Sequence, residues 1–443
     1  MINRQKQADS QEILSNQELM DAQNKKNIFW NAIGISSNSF YAMIAMILVT
    51  RVNGLEVMGG FSYAFYIAAI FHTIGVYGGR IYHISDVKQE FTNSNYISLK
   101  FVTSLIMFVV AFVFCMASGY SWNRILLIFI FLLYRALESI GDAYLGTMER
   151  NYRLDLNGKS MTLKTLIGLG VFIIINLLTL NVYLASMAFI LSFGLVLLFY
   201  DRPVVARFDK IRIGFGKSIP QLLKRCFSIF IFAFLTLLIL NVTRIVVDRF
   251  LDDEMLAIFA IIIMPVAIMP LFIQFIFQPF MMELTFSLNN GEYERFSNRV
   301  RNLFLLLFAL GLVAIGVGYM IGIPVLSFIY GVDLVDFRMS LVLMIFAGIL
   351  VGGSVVFSML LTLMRQFKIQ IILFIITLIA GIIISVFFVD RYGIFGAFIG
   401  FAVTSTVQLI LFLCGYSFKY KDNKRNIERE RRRSGNNQCD QTM

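Results

Sequence analysis

The sequence predicts an all-α polytopic membrane protein, with about twelve transmembrane helices in two six-helix halves and both termini cytoplasmic. Three observations predict it. Of 443 residues 58% are apolar and only 15% charged, against about 45–50% and about 25% in soluble domains. The apolar residues fall in long continuous runs that match the roughly 20 residues a helix needs to cross a bilayer. The basic residues fall on alternate connections between those runs. With 45 Phe and only 6 Pro, the composition excludes a disordered chain, a disulfide scaffold and a water-soluble multidomain enzyme.

Residues 1–27 are polar, with no apolar core or small-residue cleavage site, and read as a cytoplasmic segment rather than a signal peptide. Six spans follow, at 28–49, 59–79, 97–118, 125–145, 162–181 and 183–200, forming an N-terminal half over 28–200. A basic connection, 201–224, links it to a C-terminal half over 225–416. That half has spans at 225–245, 255–283, 302–323, 339–361, 369–389 and 392–416. The eighth span carries Pro265, Pro270 and Pro279 and is expected to kink or break. A basic tail, 417–443, ends the chain. Alternating ten-residue strands of a membrane barrel do not describe runs this continuous.

The 38 Lys and Arg test the map. With the N-terminus inside, the inner segments hold 31 of them and the outer connections six: Arg51, Arg124, Arg244, Arg249, Arg338 and Arg391. One, Arg135, is left in the middle of a span; Lys100, Lys164 and Arg225 fall at span ends and are counted with the inner connections, and Arg244 with the outer. A missed helix would scramble every later connection, so the asymmetry supports twelve spans. The net charge of +11 therefore reports topology, aided by anionic lipid headgroups. The tail Lys419–Arg433 reads as a solvated juxtamembrane segment, with no nucleic-acid partner expected. Cys115, Cys226, Cys414 and Cys439 form no CxxC pair, and with only His72 and His83 as imidazoles no metal site is expected.

Six spans on either side of 201–224 enter the membrane in the same sense, as parallel repeats would. The first span of each half ends alike, Val49-Thr50-Arg51-Val52 and Val242-Thr243-Arg244-Ile245. Such repeats commonly build alternating-access transporters with a site between the halves. Gly348/Gly352 and Gly396/Gly400 have GxxxG spacing and indicate close helix packing.

Polar groups within the spans carry the functional signal. Arg135 lies near mid-depth of the fourth span, where an isolated Arg costs about 2.5–3.5 kcal/mol on insertion scales. Glu138 and Asp142 follow at i+3 and i+7, on the same helical face. That face is either a structural ion pair between helices or the charged wall of a cavity for an anionic substrate or a coupling ion. In the second span Tyr66, Thr73 and Arg80 recur every seven residues, with Tyr77 beside them; the first span offers Asn31, Asn38 and Tyr41. Amide, phenol and guanidinium groups suit sugar hydroxyls and phosphates, while helix-to-helix hydrogen bonding explains the Asn residues equally well. His72, near this stripe, is a packing residue or a proton carrier. Arg244 and Asp248, at i and i+4, are either an outer gate or an ordinary interfacial pair. No Walker loop and no large outer domain is present, so neither ATP-driven transport nor catalysis is expected, and no cofactor beyond a coupling ion (proton or sodium).

These residues resemble bacterial polysaccharide flippases of the O-antigen and capsule type, in the multidrug/oligosaccharidyl-lipid/polysaccharide exporter superfamily. The resemblance covers the whole spanning region. Its most specific stretch is Arg135-Ala136-Leu137-Glu138-Ser139 with Asp142 and Arg153-Leu154-Asp155. Gly79-Arg80, Ser85-Asp86-Val87, Arg244-Ile245-Val246-Val247-Asp248, Met264-Pro265 and Gln278-Pro279 support it. It implies a multi-pass protein of the bacterial plasma (inner) membrane that moves undecaprenyl-diphosphate-linked oligosaccharides from the inner to the outer leaflet. It also implies membrane lipids, a polymerase and glycosyltransferases as partners. The family's cavity is cationic; here Glu138 and Asp142 accompany Arg135, a departure that leaves room for ion coupling. The alternatives are a drug/cation antiporter of the same fold, which requires a carboxylate-dominated cavity, a peptidoglycan-precursor flippase, and, in a different class, a membrane-embedded polymerase or transferase.

Overall fold

Inside hydrocarbon a backbone has no water to bond, so a chain this apolar must close its hydrogen bonds within helices. The computed structural model describes residues 2–86, 88–277 and 280–440 and meets that demand with helices and, among those residues, no strand. In chain order these are α1 (Ile2–Asn53), α2 (Leu55–Val76), α3 (Gly79–Ser85), α4 (Asn93–Ser118), α5 (Trp122–Arg150), α6 (Leu154–Thr179), α7 (Val182–Val196) and α8 (Arg202–Val205). There follow α9 (Ser218–Phe250), α10 (Asp253–Ile262), α11 (Met264–Phe277), α12 (Met281–Asn289), α13 (Tyr293–Val317), α14 (Ile323–Tyr330), α15 (Arg338–Leu363) and α16 (Phe367–Asp440). The last is two helices joined at Gly393, whose φ of 58° and ψ of −135° are not helical.

Short polar residues start several helices by capping free amides. Thr92 accepts from Asn95 N, Ser121 from Arg124 N, Asn181 from Tyr183 N and Leu184 N, and Asp252 from Met255 N. Left-handed residues end others, Gly119 (φ 66°) and Gly331 (φ 72°) among them, as expected where a helix must reverse without a Cβ clash.

The protein is an all-α multi-pass membrane protein: among the described residues nine helical stretches are long and apolar enough to cross a bilayer. The other expected spans also lie on helix, and each has a reason to escape that measure. The fourth is α5, with Arg135, Glu138 and Asp142 in its middle. The eighth is broken where α10 gives way to α11 at Ile263. Pro265 removes a backbone donor there and disfavours helical geometry in its predecessor. Gln278 and Pro279 lie outside the described residues, as does Val87. The eleventh and twelfth share α16 and are separated at Gly393.

By packing, the chain divides into two compact units. Unit 1 is Met1–Gly54 with Ala64–Phe234, and unit 2 is Leu55–Tyr63 with Leu235–Met443. The division falls inside α9, not in the 201–224 connection. That connection belongs to unit 1 for a physical reason. A π-helical turn, Leu197–Asp201, carries α7 into α8, and buried Val204 and Val205 join Ala143, Tyr144 and Met148 in one core cluster.

Within unit 1, α1 and α6 touch backbone to backbone. A Cβ on Gly158 would collide with the Trp30 carbonyl, and one on Gly34 would fall 2.7 Å from Gly158 Cα. At the basic end of this contact Asn27 donates to Tyr152 O (3.0 Å) and accepts from Asp155 N (3.0 Å). Arg153 grips Asp155 with both arms of its fork, at 2.8 and 3.0 Å. In unit 2, α15 is the central helix, with Gly352 against Ile273 and Gly353 against Leu409.

Candidate functional site

The candidate site in unit 1 is built around a helix break. Tyr77 (φ 47°) and Gly78 (φ 64°) are both left-handed, so α2 stops and α3 restarts one turn later. The break strands carbonyls that a continuous helix would have used. Two residues of α4 take them: Thr103 donates to Gly75 O (2.6 Å) and Lys100 to Val76 O (2.6 Å). The Lys100 side chain is fully buried, and its ammonium also donates to Asp142 Oδ2 at 2.9 Å. Beyond the break, Arg80 Nη1 stands 3.6 Å from the other Asp142 oxygen. The same guanidinium donates from Nε (3.0 Å) and Nη2 (2.7 Å) to Glu149 Oε2.

Further along α5, Arg135 Nη1 donates to Glu138 Oε2 at 2.6 Å, and His72 Nε2 lies 3.7 Å from the same oxygen. The Arg135 guanidinium lies over Phe65 (4.7 Å) and Tyr134 (5.1 Å), and Tyr134 packs edge-on to Tyr41 at 6.1 Å. Arg135, Glu138, Asp142 and Glu149 thus form a ladder on α5. At 1.5 Å per residue it spans about 21 Å, most of the roughly 30 Å hydrocarbon thickness. Arg80, Lys100 and Arg135 meet Glu138, Asp142 and Glu149, so the formal charges balance. The ladder has an exposed edge and a buried one: the side chains of Arg80 and Glu149 are 29% and 28% exposed, those of Arg135 and Lys100 9% and 0%.

A second buried pair, Lys164 of α6 with Asp201, sits beside Phe193. Sequence reasoning assigned both Lys100 and Lys164 to inner connections; the structure buries them in ion pairs. Removing two cations from 31 leaves the charge asymmetry intact. The missed signal was Asp142 itself, since a carboxylate at that depth requires a cation.

Other expected site residues are distributed around this network. Tyr66 is half-buried, edge-on to Phe65 at 5.5 Å. Tyr77 sits in the break and stacks on Phe230 at 4.6 Å. Asn31 lies where α1 meets α6, its backbone nitrogen against Gly158. Asn38 is half-buried two turns further along, and neither Asn bonds to the ladder among the described residues. In unit 2 Arg244 is buried over Phe259 (5.9 Å) and donates to Asn241. Its neighbour Thr243 bonds Ser385 at 2.9 Å, and Asp248 is half-buried on the same helix.

Outside the spans, Asp86 closes the loop after α3. It accepts from Glu90 N (3.0 Å), Phe91 N (3.1 Å) and Tyr96 Oη (3.0 Å). Burial alone would raise its pKa; the two amides, the phenol and Arg150 outweigh that and hold the carboxyl below the ordinary aspartate range. Among the described residues no cluster of His, Cys, Asp and Glu could hold a metal ion.

The fold is shared with solved MATE transporters, some of them described as members of the MOP superfamily. An inward-facing multidrug resistance MATE transporter matches at TM-score 0.67 and 14% identity, over 89% of this chain and 99% of that one. A mutant Vibrio cholerae MATE transporter matches at 0.58 and 14%, over 91% and 98%. A Pyrococcus furiosus MOP superfamily transporter, described as having a binding pocket of reversed polarity, matches at 0.59 and 15%, over 90% and 95%. By sequence the chain is similar to the capsular polysaccharide biosynthesis protein CapF of Staphylococcus aureus, 22% identical over 403 residues, 89% of this chain and 99% of that protein. No protein-family model matches the chain.

Proposed function

We propose that this chain is a flippase that moves an undecaprenyl-diphosphate-linked oligosaccharide from the inner to the outer leaflet of the bacterial plasma membrane by alternating access. The observation that carries the reading is the charge balance of the ladder: each carboxylate on α5 already has a cation within 4 Å. A drug/cation antiporter of this fold needs a carboxylate free to meet its cargo. Here an arriving diphosphate can instead compete for the fork of Arg80 at the exposed edge, with Glu149 as the group it displaces. The lipid tails remain in the bilayer while the sugar head follows the polar face of α5. The likeness to a capsule-biosynthesis protein supports the same substrate class.

On this reading Arg80, Arg135, Glu138, Asp142, Tyr66, Tyr77, Asn31 and Asn38 line the path, and Arg244 with Asp248 form an outer gate. Glu138, shared between Arg135 and His72, is where a coupling proton or sodium ion would enter. Twelve spans with both ends cytoplasmic complete the topology, and pathway glycosyltransferases and a polymerase are the functional neighbours. Surface polysaccharide in a deletion strain tests the reading. The wild-type gene should restore it, and Arg135→Ala should lose it at normal protein levels. Full export by Arg135→Ala would sink the reading. Efflux of cationic dyes by the wild type, with no effect on surface sugar, would favour the antiporter.

A further inference from the structure

Residues 206–217 connect the hydrophobic helical stretch that ends at Val205 to the one that begins at Ser218. They form an irregular strap along the first turns of α4, pinned at successive depths. Asn93 donates to Asp209 (3.2 Å). Ser94 Oγ donates to Lys210 O (3.2 Å) and accepts from Arg212 N (3.0 Å). Gly214 N donates to Ser98 Oγ (3.1 Å). From Ser94 to Ser98 the strap therefore descends about 6 Å along α4, toward the hydrocarbon.

Its side chains are sorted by this descent. Phe208 and Ile211 turn inward against the core cluster of Tyr144 and Val205. Arg207, Lys210, Arg212 and Lys217 are exposed, as is Arg202 just before the strap. The strap's one carboxylate, Asp209, is turned toward Asn93. Ile213 and Phe215, at the deeper end, are 55% and 70% exposed. Arg207, Lys210 and Arg212 at the shallow level, with Ile213 and Phe215 further along the descent, match the layering of a headgroup region over its acyl boundary. A surface kept for water has no use for the apolar pair, and one kept for bulk hydrocarbon has no use for the cations.

We propose that residues 206–217 are a binding surface for anionic phospholipid headgroups. Arg207, Lys210, Arg212 and Lys217 contact the phosphates, and Ile213 and Phe215 are seated at the acyl boundary. The pinning bonds make the strap a preformed surface, so lipid binding does not have to order it.

Depth quenching in bilayers tests this with the full-length chain. The chain has two Trp, and Trp30→Phe/Trp122→Phe provides a dark background into which Phe215→Trp is placed. Brominated phosphatidylglycerol should quench its emission about twofold more than brominated phosphatidylcholine, as expected of a surface that enriches anionic lipid. The excess should vanish in roughly 0.5 M salt, where screening is short-ranged. It should also vanish in Arg207→Gln/Lys210→Gln/Arg212→Gln/Lys217→Gln. Equal quenching by the two lipids overturns headgroup recognition. Quenching by neither, the result expected of a surface kept for a soluble protein partner, overturns the proposal entirely. As an independent measurement, native mass spectrometry should find anionic phospholipid retained on the wild-type chain and reduced on the quadruple variant. Equal retention also overturns it.

Discussion

The two units are built from the same kind of helix but fill their interiors differently. Unit 1 buries Lys100, Arg135, Asp155, Lys164 and Asp201, each against an opposite charge. Unit 2 buries hydroxyls and amides: Ser354, Ser358, Thr377, Thr404, Ser405 and Gln370, with Arg244 as its buried cation among the described residues. Gln370 is representative, donating to Ser358 O (2.8 Å) and Thr362 Oγ1 (2.9 Å). A neutral hydroxyl bonded to its own helix, as those of Ser354, Thr377 and Ser405 are, costs little to desolvate, whereas a buried ion pair seldom stabilises relative to an apolar pair. Unit 1 therefore carries the larger desolvation cost. The site invoked by the proposed function lies in unit 1.

The contrast is most sharply tested at Lys100. Lys100→Met leaves Asp142 and the Val76 carbonyl short of a donor and should destabilise the protein by about 3–5 kcal/mol, read as a fall in melting temperature. Lys100→Met/Asp142→Asn should recover more than half of that loss, because Arg80 keeps Glu149. A double variant as unstable as the single would show that the carbonyl, not the carboxylate, is the critical partner.

Packing differs as well. Gly158→Ala in unit 1 meets the backbone of α1, which cannot move alone, and should cost about 1–3 kcal/mol. Gly353→Ala in unit 2 meets the flexible end of Leu409, 2.9 Å away, and should cost well under half as much. Equal melting shifts for the two would remove this part of the comparison. Gln370→Leu removes two neutral hydrogen bonds and should cost about 1–2 kcal/mol, with surface polysaccharide unchanged. A loss of export there would bring unit 2 into the chemistry.

The smallest effect belongs to Asp86. Its pKa is lower folded than unfolded, so its stabilising contribution is complete above the unfolded value, about 3.9. It is lost as pH falls through the folded value. Asp86→Asn should flatten the acid limb of a melting-temperature profile below about pH 4 and lower the melting temperature modestly at neutral pH, where the contribution is complete. An unchanged acid limb would reject this role.

Much of the fold was legible because the bilayer simplifies it. Continuous apolar runs admit only helices, and the location of the breaks followed from Pro265 and the connections. The candidate site was legible in half. Arg135, Glu138 and Asp142 announced themselves by spacing on one helix, where periodicity is a reliable guide. Lys100 and Lys164 did not, because each sits near the end of an apolar run and reads as a connection residue until its partner on another helix is known. The π-helical continuation to Val205 was invisible for the same reason: Asp201 looks like a stop unless a buried lysine is waiting for it.

The pairing of those lysines bears on how the chain can be made. Lys100 emerges from the ribosome 42 residues before Asp142, and Lys164 emerges 37 residues before Asp201. At about 5–20 residues per second that is a delay of roughly 2–8 s. Over that interval neither lysine has its carboxylate partner on the emerged chain. A helical hairpin, α4 with α5 or α6 with α7 and the π-helical turn after it, is therefore the smallest piece that holds each lysine together with its partner.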